Sequence, residues 1–234
     1  MTRRPSEMPG LSFAGQSKSA DRLFLLMAVL AIGCAGLLTV ASPESRHPVL
    51  GGLTLLPVTM VCAVLGWFLL RPIYWRGLGL IRVEGVGMRH FSGLLMLGAV
   101  LAVPAIAIDL VWRFPQDMNL AMPEALAFYP AIALVAEVLF HLFPLSLFCL
   151  LAPKATPVWL LLMPVVFVEP VFQMLINTGP QLQSWLVFAS VSLVSASQLW
   201  VFWRYGFAAM MGLRISFYLF WHVLWGAMRL SLLF

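Results

Sequence analysis

Seven separate stretches of mostly apolar residues run through the chain, roughly over 22–41, 49–70, 91–112, 125–151, 157–176, 184–203 and 207–230. Each approaches or exceeds the ~20 residues that a helix needs to cross a bilayer. Lipid offers no partner to a free N–H or C=O, so a spanning segment must bond its backbone internally or in a closed barrel. The runs lack the apolar–polar alternation of a barrel strand. The expected fold is therefore all-α, a polytopic transmembrane helix bundle. Composition agrees: 10% of the 234 residues are charged and 62% hydrophobic, whereas a soluble domain carries about 25% charged residues to coat its surface. Pro57, Pro104, Pro130, Pro144, Pro164 and Pro170 fall inside the runs, where they are expected to kink helices or free backbone groups for neighbours.

The connections carry the remaining charge. Residues 1–21 are polar and rich in Pro, Gly and Ser, the composition of a disordered tail. The run from Leu23 to Ala41 has no small-residue cleavage site followed by a soluble domain, so it is read as a retained anchor. Arg3, Arg4, Lys18, Arg22, Arg71, Arg76, Arg82, Arg89, Lys154 and Arg204 fall on one side of the expected membrane, against Arg46, Arg113 and Arg229 on the other. That bias places the N-terminus in the cytoplasm and the C-terminus outside. Residues 71–90 read as a basic interfacial loop on the inner leaflet. A net charge of +5 placed this way points to anionic lipid rather than nucleic acid. Cys34, Cys62 and Cys149 all lie in apolar runs without CxxC spacing and read as small buried hydrophobes.

Ionisable side chains at membrane depth are expensive, by about 2.5–3.5 kcal/mol at a helix centre, and so need partners or a function. The fourth run carries Glu137 and His141, the fifth Glu169, Gln173 and Asn177, and the seventh Arg214, Tyr218 and His222. Within each run the steps are of four, which puts the members on one helical face. At about 1.5 Å of rise per residue, Glu137, Glu169 and His222 fall roughly 18–22 Å from the cytoplasmic ends of their helices. Asp109 and Arg113, at the outer end of the third run, read as an i,i+4 ion pair. Two carboxylates and an imidazole in one layer could hold a divalent metal such as zinc, could activate a water, or could satisfy one another as a polar core or a transport relay.

The motif AEVLFHLFPLSL on the fourth run resembles a degenerate form of the EExxFR motif of the CPBP family, the CAAX-processing and bacteriocin-immunity intramembrane proteases. WRYGFAAMMGLRISFYLFWHVLWG resembles that family's last motif, and VVFVEPVFQ stands where the family has a phenylalanine followed by a histidine. The resemblance covers about residues 125–230. It matches Glu137 to the second glutamate of the pair and His222 to the last histidine. Ala136 stands in place of the first glutamate, His141 of the arginine, Glu169 of the middle histidine and Gly226 of a common Asn or Asp.

Beyond the tail read over 1–21, the resemblance divides the chain into a three-span scaffold over 22–124 and a four-span core over 125–234, in the inner membrane. It implies an endopeptidase acting on a membrane-associated peptide or protein. Glu137, Glu169, His222 and His141 are its expected catalytic groups, with Arg214, Tyr218 and Gln173 orienting them, and Glu137, Glu169 and His222 ligating zinc if a metal takes part. The alternatives are an inactive relative that binds or shields a membrane peptide, and a transporter.

Overall fold

In the computed structural model, which describes residues 13–42, 53–80, 88–177 and 179–234, every regular element is a helix. The seven expected spans are all present: α1 Phe13–Ala41, α2 Leu55–Trp75, α3 Met88–Val111, α4 Glu124–Leu151, α5 Val158–Ile176, α6 Gln181–Tyr205 and α7 Phe207–Leu233. A 3-10 turn, Gln116–Met118, sits between α3 and α4.

Burial runs opposite to that of a soluble domain. Leu37, Phe68, Val111 and Leu175 are between 65% and 80% exposed, whereas Asp109, Glu137, His141 and Arg229 are at 0%. An apolar coat of this extent is stable only against lipid. The chain is a multi-pass membrane protein. Inside the coat, one apolar core joins Phe24 of α1, Leu70 of α2, Leu134 of α4, Val165 of α5, Phe202 of α6 and Met210 of α7. A second, smaller core sets Trp221 and Trp225 of α7 against Ala102 and Ile108 of α3. The three cysteines are unpaired, with Cys62 and Cys149 buried as expected for small hydrophobes.

Two expectations at the membrane surface change. Helix α1 begins at Phe13, so residues 13–21 are helical and only 1–12 of the expected tail lie outside the described residues. This extension is anchored: Ala20 is buried, and Asp21 accepts a hydrogen bond from Arg71 at 2.9 Å. Helix α2 continues through Arg71 to Trp75, which shortens the loop expected over 71–90. Residues 81–87 with Arg82, and Arg46, lie outside the described residues.

Helices α4, α5 and α7 are interrupted, and each interruption sits at a candidate residue. In α4 the turn Glu137–Leu142 is a π-helix, closed by the Phe143 N–H on the Val138 carbonyl five residues back. Pro144 follows at once and has no N–H to continue the α-register. In α7 the π-turn spans Leu219–Trp225. In α5 a turn at Phe167, three residues after Pro164, separates Val158–Val166 from Val168–Ile176. The first turn of the second half carries Glu169. Such π-turns occur mostly as local bulges, often at functional sites.

Glycine sets the spacing of α3 and α7. A Cβ on Gly98 would lie 2.6 Å from Ser216 Cβ and 2.8 Å from the Phe217 backbone nitrogen. Small residues permit this kind of close helix approach in membranes.

Candidate functional site: a buried arginine between two glutamates

Arg214 on α7 reaches the centre of the bundle and closes on both glutamates. Its Nε donates to Glu137 Oε1 at 2.6 Å, and its Nη1 and Nη2 donate to the two oxygens of Glu169 at 2.8 and 2.6 Å. The remaining donors go to Tyr218 Oη at 3.1 Å and Gln198 Oε1 at 3.1 Å. All five N–H groups of the guanidinium are thus committed. Gln198 on α6 also donates to Glu137 Oε1 at 2.7 Å. Every member of this set comes from α4–α7.

The second oxygen of Glu137 meets His141. His141 Nδ1 lies 2.7 Å from Glu137 Oε2 on the same π-turn, with both side chains fully buried. Glu137 is ion-paired with Arg214, so it is a carboxylate and can only accept. Nδ1 therefore carries the proton. The separation of 3.5 Å between Arg214 Nη2 and His141 Nδ1 is too long for a competing bond. In the neutral ring this leaves Nε2 as an acceptor, and that atom is buried with no hydrogen-bond partner in the protein.

His222 stands apart from the carboxylates. Its Nδ1 lies 2.8 Å from Asn119 Oδ1, and its ring stacks on Tyr129 with centroids 4.6 Å apart. Tyr218 joins the two groups: its hydroxyl accepts from Arg214, and its ring meets His222 edge-on at 5.0 Å. Gly226 makes room for this arrangement, since a Cβ there would lie 2.9 Å from Asn119 Nδ2.

Depth and helical facing thus bring together Glu137, Glu169, His141, Arg214 and Tyr218. Arg214 is the hub of the set rather than a peripheral orienter, because its long side chain spans from its own turn to both carboxylates. Gln173 is half-buried and contributes no side-chain hydrogen bond to the cluster. Asn177 instead donates to Ser184 Oγ at 3.2 Å, away from the core. The expected zinc ligands do not fit a metal as they stand. Glu169 is closed by Arg214, Glu137 is divided between Arg214, Gln198 and His141, and His222 is bonded to Asn119. Among the described residues no three His, Cys, Asp or Glu side chains gather in a metal-holding group.

No family model, curated protein or solved structure matches the chain.

A second buried network corrects the reading of Asp109. Its partner is Arg229 of α7, not Arg113: Arg229 Nε donates to Asp109 Oδ2 at 2.7 Å and Nη2 to Oδ1 at 2.9 Å. Trp225 Nε1 and the Phe114 N–H complete the carboxylate at 2.7 and 2.8 Å. Arg229 also donates to the carbonyls of Phe114 and Pro115. Spacing along α3 pointed to Arg113, but the chain leaves the helix at Trp112 and Arg113 is exposed. Helix α7 brings Arg229 to the buried side of Asp109 instead.

Gln198 and Asn119 escaped the reading from sequence. Gln198 is a lone amide in the serine-rich apolar run SVSLVSASQLW, and its isolation at depth was a usable signal. Asn119 lies in a connection, where an asparagine carries no such signal.

Proposed function

We propose that the protein is a multi-pass inner-membrane hydrolase of the CPBP type, with its N-terminus in the cytoplasm, that cleaves a peptide bond in a membrane-associated substrate. One observation carries the reading: a fully buried histidine whose Nδ1 is fixed by a carboxylate and whose Nε2 is left open. A carboxylate that holds a histidine in one tautomer is the arrangement that makes the other ring nitrogen a general base.

In this reading His141 Nε2 takes a proton from water as the water oxygen attacks the scissile carbonyl. The imidazolium then returns that proton to the leaving amine as the C–N bond breaks. Glu137 orients the ring and balances the imidazolium. The set Arg214, Glu137 and Glu169 carries one positive and two negative formal charges, so a proton on His141 brings the site to neutrality. Arg214 has no donor left for substrate and acts by holding Glu137 in place. The base is thus the histidine at the position where the family motif carries arginine, in place of the glutamate lost at Ala136.

Two further features support the family reading. Both π-turns fall on motif residues, Glu137–Leu142 and Leu219–Trp225. Asn119 occupies the space beside His222 that a larger residue at Gly226 would fill, so the amide next to the last histidine is supplied from the α3–α4 connection. Substrate reaches His141 by displacement of α5, which is broken at Phe167 and buries only Leu161, Val165, Glu169 and Pro170.

A second reading is favoured by the full occupation of both carboxylates, Glu169 by Arg214 and Glu137 by Arg214, Gln198 and His141: an inactive relative that binds or shields a membrane peptide. Cleavage lost in folded His141→Ala and Glu137→Gln variants supports the hydrolase. A wild-type chain that binds membrane peptides without cleaving them supports the second reading.

A further inference from the structure

At the end of the bundle where Lys and Arg concentrate, a cavity of about 560 Å³ opens between the C-terminal ends of α2 and α4. Trp75, Arg76, Leu150 and Lys154 line it, with no acidic side chain among its lining residues. Arg76 is fixed in place. Its Nε donates to the Cys149 carbonyl at 3.0 Å, Nη1 to Pro153 at 2.8 Å, and Nη2 to Cys149 at 2.8 Å and to Ala152. Four of the five donors of a guanidinium are used, which leaves one N–H on Nη1.

These carbonyls immobilise the cation without an opposing full charge. Arg71, Arg214 and Arg229 each meet a carboxylate, but among the described residues Arg76 forms no ion pair. The negative end of the α4 dipole offsets about half a unit of charge, and Lys154 adds a whole one. A fixed cation and an exposed one thus face one crevice. Around them the surface is apolar: Trp75 is 76% exposed and Leu151 73%. An anion that fits this place has an apolar tail lying along α2 and α4.

We propose that this crevice binds the headgroup of an anionic phospholipid, with its phosphate between Arg76 and Lys154 and its acyl chains against Leu150 and Leu151. The indole of Trp75 sits at headgroup level, where tryptophan is enriched. A bound lipid of this kind ties the ends of α2 and α4 to the anionic leaflet.

Native mass spectrometry of the full chain in detergent tests the site, with phosphatidylglycerol or phosphatidylcholine of matched acyl chains added. Lys154 is exposed and holds no other element, so Lys154→Ala and Lys154→Glu leave the fold intact, which circular dichroism checks. The wild-type chain retains phosphatidylglycerol in preference to phosphatidylcholine. Lys154→Ala lowers that retention about fivefold, the effect of one basic residue near a membrane surface, and Lys154→Glu lowers it further. Equal retention of the two lipids, or undiminished phosphatidylglycerol retention by Lys154→Glu, overturns the proposal. Displacement of the lipid by millimolar inorganic phosphate overturns the choice of a lipid over a soluble anion.

Discussion

Arg214 Nε lies 2.6 Å from Glu137 Oε1, with the arginine 1% and the glutamate 0% exposed. The pair links α7 to α4, and Glu169 ties α5 to the same guanidinium. Removing the guanidinium leaves two carboxylates facing each other without a counter-charge. Breaking a buried pair from one side typically destabilises by about 3–5 kcal/mol. Arg214→Ala is therefore expected to lower the thermal midpoint of the detergent-purified protein sharply. Glu169→Gln, which leaves the bond to Glu137 in place, should lower it less.

The Asp109–Arg229 network gives a prediction with a distinctive sign. Asp109→Leu or Arg229→Met alone strands a buried charge and should cost about 3–5 kcal/mol, whereas the double substitution removes both charges and should cost less than either single change. Trp225→Phe deletes one hydrogen bond to the carboxylate, worth about 1.5–3 kcal/mol. Midpoints of the four variants, read from thermal scans, check the order.

Helix spacing can be tested with a matched pair of glycines. Gly98→Ala places a methyl 2.8 Å from a backbone nitrogen of α7 that cannot rotate away, and overpacking of this kind costs about 1–3 kcal/mol. Gly33→Ala, with nothing within 4 Å of the new Cβ, should be neutral or stabilising by up to about 1 kcal/mol through helix propensity.

The spans and the fourfold steps of polar residues were legible in the sequence because the bilayer imposes both: a fixed length on each helix and a high cost on each stray charge. Glu137, His141 and Arg214 followed directly from that cost. The choice of partner did not. Asp109 has Arg113 at helical spacing but pairs with Arg229, 120 positions away, since the local arginine points out of the bundle. His222 was expected in the layer of Glu137 but stacks on Tyr129, eight residues before Glu137 on α4, and so lies about 12 Å along the bundle from it; counts from helix ends do not register one helix against its neighbour. Helix α1 begins nine residues before the apolar run, because helical hydrogen bonding continues into water where hydropathy no longer records it.

Gln173 separates facing from function. It shares a face with Glu169 by spacing but makes no bond to the cluster, so Gln173→Ala should leave both stability and turnover within about 0.5 kcal/mol of the parent, the usual range for a substitution away from a buried network.

We propose that His141, held by Glu137, is the base of a membrane hydrolase. Mapping of new protein N-termini in membranes from cells that express the wild-type chain, His141→Ala, Glu137→Gln or Gln173→Ala tests it most directly, with folded protein verified in each. The expected outcome is a set of cleaved membrane-protein termini present with the wild type and Gln173→Ala and absent with His141→Ala and Glu137→Gln. Termini that persist in folded His141→Ala, or no terminus that depends on the wild-type chain, would contradict it.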